Sequence, residues 1–217
     1  MAPESRGTFI TFEGVDGAGK STQVALLVER LRAEGREVVQ LREPGGTAIS
    51  EKIRAILLDP ANGEMSPECE LLLFEASRAQ LVREVIEPAV ARGAIVVCDR
   101  FYDSTHAYQA GGRGFDDTLV RRANELGSCC VVPALTIVLD MDPEDAYERA
   151  GQRGEHDRME AEGLAFQQRV RADYLALAEA EPARVHLVSA AGEPAEVAAR
   201  IGEVLAEAGV CCEACRG

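Results

Sequence analysis

The sequence predicts an α/β fold, a parallel sheet covered by helices, and three observations predict it. Short β-branched apolar runs alternate with stretches whose apolar residues recur at helical spacing. The run Ala94–Cys98 is unbroken, as in a strand buried on both faces, and Leu135–Leu139 and Val185–Val188 repeat that style. A glycine-rich turn, Gly14–Ser21, joins the first apolar run to the first helical one.

Taken in order, Phe9–Phe12 reads as a strand. A helix from about Lys20 to Glu34 then places Val24, Leu27, Val28 and Leu31 on one face and stops at Gly35. Val38–Leu41 is a second strand, and Glu43-Pro44-Gly45-Gly46 is a loop. Ile49, Ile53, Ile56 and Leu57 recur at helical spacing. Ser66 reads as an N-cap before Pro67 at the first helical position. The helix it opens runs towards Arg92, with a bend expected near Pro88, and stops at Gly93. A last helix aligns Val197, Ile201, Val204 and Ala208. No repeat or Pro/Ser-rich linker divides residues 1–217, so one domain is the simplest account.

Composition narrows the partners. The chain has 217 residues, 23 Lys plus Arg and 37 Asp plus Glu, for a net charge of −14. Such a coat argues against a nucleic-acid binder and against an anionic-membrane binder. No run of 18 or more apolar residues suggests a membrane span, and no secretory signal is visible. The seven cysteines are odd in number and unevenly spaced, which fits reduced thiols in a cytoplasm. The tail, about residues 209–217, holds Cys211, Cys212 and Cys215. It is either an incidental frayed end or part of a soft-metal site that lacks a second ligand pair.

Gly14-Val15-Asp16-Gly17-Ala18-Gly19-Lys20-Ser21 matches G-x-x-x-x-G-K-[ST] between a strand and a helix. Its glycines let backbone N–H groups turn towards phosphate oxygens, beside the positive end of a helix. Lys20 is expected at the β- and γ-phosphates and the Ser21 hydroxyl on Mg²⁺. Asp99 ends a buried strand, where the crevice of such a sheet opens. It either helps to hold Mg²⁺ or caps the next segment. Phe74 and Arg78, four apart on a helix, project together; they suit a nucleobase, or are a core Phe beside a solvated Arg. His106, His156 and His186 are scattered and form no constellation.

Five ordered motifs turn this general phosphate site into a specific resemblance. Phe12-Glu13-Gly14-Val15-Asp16-Gly17-Ala18-Gly19-Lys20-Ser21-Thr22, Arg42-Glu43-Pro44-Gly45-Gly46-Thr47 and Asp99-Arg100-Phe101 resemble signatures of the thymidylate kinases. So do Ser104-Thr105-x-Ala107-Tyr108-Gln109 and Asp157-Arg158-Met159-Glu160. The resemblance implies a three-layer P-loop NTPase fold with a five-stranded parallel sheet, usually a homodimer. It implies transfer of the γ-phosphoryl of ATP to dTMP with Mg²⁺. Residues Gly14 to Thr22 would hold ATP. Phe74 would stack on thymine, with Arg78 on its carbonyl and Thr105 and Gln109 at its edge. Tyr108 would lie against the deoxyribose, Asp16 would accept from the 3′-hydroxyl, and Ser104 would lie in the same pocket. Arg100, helped by Arg54, would clamp the acceptor phosphate. Phosphoryl transfer asks for little beyond such positioning and charge neutralisation, and the acceptor phosphate is already an anion.

Residues 148–160 are polar and contain Gly151 and Gly154. They read either as a mobile lid or as a solvated charged helix in which Glu148, Glu155 and Asp157 pair with Arg149, Arg153 and Arg158. Some thymidylate kinases carry a catalytic arginine in the phosphate loop, where this chain has Gly17. The resemblance therefore implies the bacterial-type arrangement, with Arg153 as the catalytic arginine and Arg149 as its helper. Gly151 stands where some members carry a further arginine.

Overall fold

A computed structural model describes residues 7–151, 158–159 and 162–209. Five strands, β1 (Phe9–Glu13), β2 (Val38–Arg42), β3 (Ile95–Asp99), β4 (Leu135–Asp140) and β5 (Val185–Ser189), form one sheet. All pairs are parallel, in the order β2-β3-β1-β4-β5. β1 is central, so the phosphate loop leaves the middle of the sheet. Phe12 pairs with Asp99 and Arg42 with Asp99, which brings the carboxyl ends of β1, β2 and β3 to one rim. Ligands of open parallel sheets bind beyond that rim.

Helices cover both faces: α1 (Lys20–Ala33), α2 (Ala48–Leu58), α3 (Pro67–Leu81), α4 (Glu87–Ala91), α5 (Tyr102–Thr105), α6 (Asp117–Gly127), α7 (Pro143–Gly151), α8 (Leu164–Ala180) and α9 (Pro194–Glu207). Alternate strand residues serve the two faces, as a pleat requires. Ile10, Phe12, Ile95 and Val97 join a cluster with Val24 and Leu31 of α1, Val170 of α8 and Ile201 of α9. Phe9, Val96 and Cys98 join another with Leu81, Ile86 and Ala89. Burial of each large side chain contributes roughly 1.5–3 kcal/mol. The α1 residues expected on one face, Val24, Leu27, Val28 and Leu31, are all buried.

One expectation changes, and two details are added. The helix from Ser66 is capped as read, with the Ser66 hydroxyl accepting from Cys69 N at 3.2 Å. It runs on to Ala91 and stops before Gly93, as read, but its irregularity lies ahead of Pro88 rather than at it. α3 ends at Leu81, and a wide π-type turn, Val82–Ile86, precedes α4. Pro88 cannot donate to the carbonyl four residues back, at Glu84, so the distortion falls before the proline rather than at it. On α2, Leu57 is buried but Ile49 and Ile56 are half exposed, at 50% and 48%. The glycine-rich stretch to Gly114 is largely helical, with a π-type turn at His106–Gly112. Gly111 and Gly112 are there for close approach: a Cβ on them would run into Asp173 and the Phe166 ring of α8.

A polar strip crosses the apolar sheet. Thr11 and Thr136 share a 2.8 Å hydroxyl bond, and Thr136 donates to Asp103 at 2.9 Å. Arg184 grips Asp103 with both terminal nitrogens, at 2.7 and 2.9 Å. The Asp103 and Arg184 side chains are 2% and 11% exposed, so neither charge is well hydrated without the other. Arg184→Met should therefore cost about 3–5 kcal/mol, because it strands a buried carboxylate. The fall in urea midpoint, compared with the milder Asp103→Asn/Arg184→Met pair, measures it.

Candidate active site

A cleft of about 670 Å³ opens at the carboxyl rim of the sheet. The phosphate loop forms its floor. Its lining takes in one group at Phe74, Arg78, Thr105 and Gln109 and another at Gly192, Pro194 and Val197. Such a volume is ordinary for small-molecule sites.

Lys20 is buried and folds back on its own loop, donating to Gly14 O at 3.0 Å and Val15 O at 2.8 Å. Burial and then the neighbouring Arg100 lower its ammonium pKa from 10.5 to about 8. The Ser21 hydroxyl donates to Asp99 Oδ2 at 2.6 Å, from the start of α1 to the end of β3. Asp99 therefore faces the loop, while α5 has no side-chain N-cap bond, which removes the capping alternative. One hydroxyl and one carboxylate at a phosphate loop suit Mg²⁺, which keeps waters and substrate oxygens for its other positions. Gly17 has φ +91°, and a Cβ there would strike the Ala146 carbonyl of α7. A phosphate-loop side chain at that position has no room.

The residues expected on the acceptor side form one network. Arg100 donates to Asp16 Oδ1 at 2.5 Å, Ser104 Oγ at 2.9 Å and Tyr108 OH at 3.1 Å. Its guanidinium lies 5.1 Å from the Tyr108 ring centre, and Tyr108 donates to Asp16 Oδ2 at 2.8 Å. Burial opposes the Asp16 charge, but Arg100 and Lys20 outweigh it and hold the carboxyl at about 2. Arg100 has φ +71°, a left-handed conformation that costs energy in a residue with a Cβ. Arg54 donates to Pro44 O at 2.8 Å and lines the cleft.

Arg78 is not solvated: it is 1% exposed. Its Nε donates to Glu43 at 2.8 Å, its Nη1 to Glu75 at 2.5 Å and its Nη2 to Thr105 Oγ1 at 2.9 Å. Burial pushes the Glu43 carboxyl up to about 8 against the pull of Arg78. Phe74 is half-buried and lines the cleft beside it. The expected residues Asp16, Arg54, Phe74, Arg78, Arg100, Ser104, Thr105, Tyr108 and Gln109 thus line a single cavity with the phosphate loop, Asp99 and Arg149. Arg153, most of the expected lid and the cysteine tail lie outside the described residues.

Residue-by-residue reading missed Glu13, Tyr174, Glu70, Arg113 and Met159. Glu13 has no exposed surface and accepts from Phe101 N at 2.7 Å, Ser104 Oγ at 2.5 Å and Tyr174 OH at 3.0 Å. Burial first, then Asp103, raises its carboxyl to about 7. Two signals were available. Glu13 is a carboxylate closing an apolar strand, and Glu70, Phe74 and Arg78 form a stripe of period four on one helix face.

The thymidylate kinase family model matches residues 12–201. A thymidylate kinase of Trichlorobacter lovleyi is 48% identical over 203 residues, covering 91% of this chain and 96% of its own. One of Pseudomonas fluorescens is 50% identical over 199 residues, covering 92% and 95%. The crystal structure of thymidylate kinase from Ehrlichia chaffeensis is 34% identical, with a TM-score of 0.77, over 92% of this chain and 99% of that one. These matches run along nearly the whole length, and the chain belongs to the thymidylate kinase family.

Proposed function

We propose that this enzyme transfers the γ-phosphoryl of ATP to dTMP, giving dTDP, within one P-loop kinase domain spanning residues 1–217. The observation that carries this reading is the single cleft. Its lining joins the phosphate loop to Phe74, Arg78 and Gln109. ATP takes the phosphate loop, Gly14 to Thr22, with its base towards Gly192 and Pro194. Lys20 swings from its loop carbonyls to the β- and γ-oxygens. Ser21 and Asp99 hold Mg²⁺, which when bound neutralises charge on those oxygens.

dTMP meets the other lining group. Phe74 stacks on thymine, Arg78 and Gln109 meet the base edge with Thr105 beside them, and Tyr108 lies along the sugar. Asp16 has lone pairs left over from Arg100 and Tyr108 for the 3′-hydroxyl. Arg100, with Arg54 and Ser104 nearby, holds the acceptor phosphate in line. Arg153 supplies the guanidinium that meets the transferring group, with Arg149 helping from the cleft edge. The lack of room at Gly17 supports a lid-borne arginine. Such an arginine is worth ~10³–10⁵ in turnover.

An ADP-release assay across dTMP, dUMP, dCMP and dGMP tests the reading. dTMP should lead dCMP and dGMP in kcat/KM by at least ~10²-fold, since those bases mispair with the buried polar groups. The lead over dUMP rests on one methyl and is smaller, ~10–200-fold at most. In the same assay Arg153→Ala should lose most turnover and keep its KM for dTMP. A preferred acceptor other than dTMP points to a kinase of another nucleotide, and no turnover at all points to a non-catalytic regulator.

Lys20 gives the pH dependence. Its ammonium is charged below about 8 and loses its proton above. The kcat/KM for ATP should hold steady between about pH 6.5 and 7.5. Above about 8.5 it should fall, approaching tenfold per unit, while kcat at saturating ATP falls later because bound phosphates favour the charged amine. A flat kcat/KM profile through about pH 9.5 would contradict this.

A homodimer in the cytoplasm completes the proposal. The four described cysteines are free. Ile49 and Ile56 on α2, Leu72 on α3 and Leu119 and Leu126 on α6 are 48–80% exposed, on helices that pack side by side. An apolar face of that kind supports association with a second copy. Leu72→Glu/Leu126→Glu should run as a monomer in light-scattering chromatography where the parent runs as a dimer.

A further inference from the structure

Gln109 lines the base end of the cleft and is 1% exposed. A carboxamide presents either its NH₂ or its oxygen to a ligand, and a half-turn exchanges them. The face shown is decided by whatever takes the other end. Here Nε2 of Gln109 donates to Glu70 Oε1 at 2.8 Å.

Glu70 lies one turn before Phe74 on α3 and has no exposed surface. It also accepts from Arg113, Nε at 3.1 Å and Nη2 at 2.9 Å, and pairs with Arg158 Nη1 at 2.5 Å. Burial disfavours its charge, but the donors from Arg113, Gln109 and Arg158 hold the carboxyl below its usual range. An ionised carboxylate only accepts. A flipped Gln109 would set its oxygen against that carboxylate and lose its bond as well.

Arg158 removes the remaining freedom. Its Nε donates to Leu57 O at 2.8 Å and its backbone N to Leu58 O at 3.3 Å, so it cannot follow a moving carboxylate. Arg113 is held on its far side by Glu162 at 2.5 Å.

We infer that Glu70 is a specificity-determining positioning residue: it locks Gln109 so that a carbonyl oxygen faces the acceptor base. The cleft then selects bases that carry an imino N–H at that edge, as thymine and uracil do. It rejects cytosine, whose ring nitrogen there is itself an acceptor. Glu70 never touches the ligand. The inference rests on the reading of this part of the cleft as the dTMP site.

The test is the ratio of kcat/KM for dTMP to that for dCMP in wild type, Glu70→Gln, Gln109→Leu and the double variant. Glu70→Gln keeps the shape but donates as well as accepts, so it unlocks the flip. Its ratio should fall about 10–100-fold, mostly through KM for dTMP, as expected when a buried polar contact is mispaired. Gln109→Leu should lose a similar factor, and the double variant should lose no more than Gln109→Leu alone. A folded Glu70→Gln enzyme with the wild-type ratio overturns the inference. So does a Glu70→Gln effect of undiminished size in the Gln109→Leu background.

Should Glu70→Gln fail to fold, wild type itself decides. The Gln109 NH₂ resonances, identified by their absence in Gln109→Leu, should stay protected and unshifted on saturation with dTMP. Their transfer to a ligand hydrogen bond overturns the inference. A wild-type enzyme that does not favour dTMP refutes the acceptor reading instead.

Discussion

The site depends on one carboxylate that water never reaches. Glu13 stands where β1 gives way to the phosphate loop, and it is fully buried. A carboxyl in that place is tolerable only if donors converge on it. They come from three other parts of the chain: the backbone of Phe101 after β3, the Ser104 hydroxyl on α5, and the Tyr174 hydroxyl on α8. Satisfying Glu13 therefore draws the β3–α5 turn and α8 onto the end of the central strand. The Phe101 N–H can point that way only after the chain reverses at Arg100, which explains the positive φ there. That reversal is also what delivers the Arg100 guanidinium to Asp16 and Tyr108. A strained arginine in the acceptor network is thus a consequence of a satisfied glutamate beneath it.

The same logic resolves the net charge of −14. Several acids are not surface charge at all. Glu13, Glu43, Glu70, Glu75 and Asp103 are each at most 6% exposed, and each meets a guanidinium or a set of hydrogen-bond donors. Arg78 alone serves two of them. The exposed acids repel polyanions, which see the whole surface. A nucleotide entering the cleft meets Lys20, Arg54, Arg100 and Arg149 instead. Field lines in a low-dielectric cleft follow those local cations more than the total.

Much of this was legible in the sequence. Strands read as apolar runs because a parallel sheet is buried on both faces, and the phosphate loop read as a loop because its spacing carries its own mechanism. Many cleft-lining residues were legible through ordered motifs, and Phe74 and Arg78 through their helical spacing. What stayed hidden depended on tertiary partners. Nothing in the sequence marks Gly111 and Gly112 as contact points, yet α8 needs them to pack, and the backbone there is helical. Ile49 and Ile56 match a buried stripe by spacing alone, but α2 turns them outward, since Ser50 donates to Ser77 O at 2.8 Å and fixes the inner face. Glu70 carried no motif, and its importance lies in three partners drawn from distant segments.

The placement of α7 argues for the division of labour in the cleft. α7 follows β4, the neighbour of β1, and its Ala146 carbonyl closes on the phosphate loop at Gly17. Any side chain at that loop position would have to displace helix backbone, so the loop itself cannot contribute a guanidinium there. The same contact brings the end of α7 to the cleft, where Arg149 already lines the wall. Arg158, beyond α7 in sequence, is tied to Leu57, Leu58 and Glu70. Arg149 and Met159 both line the cleft, which sets the end of α7 and the residue after Arg158 on its wall.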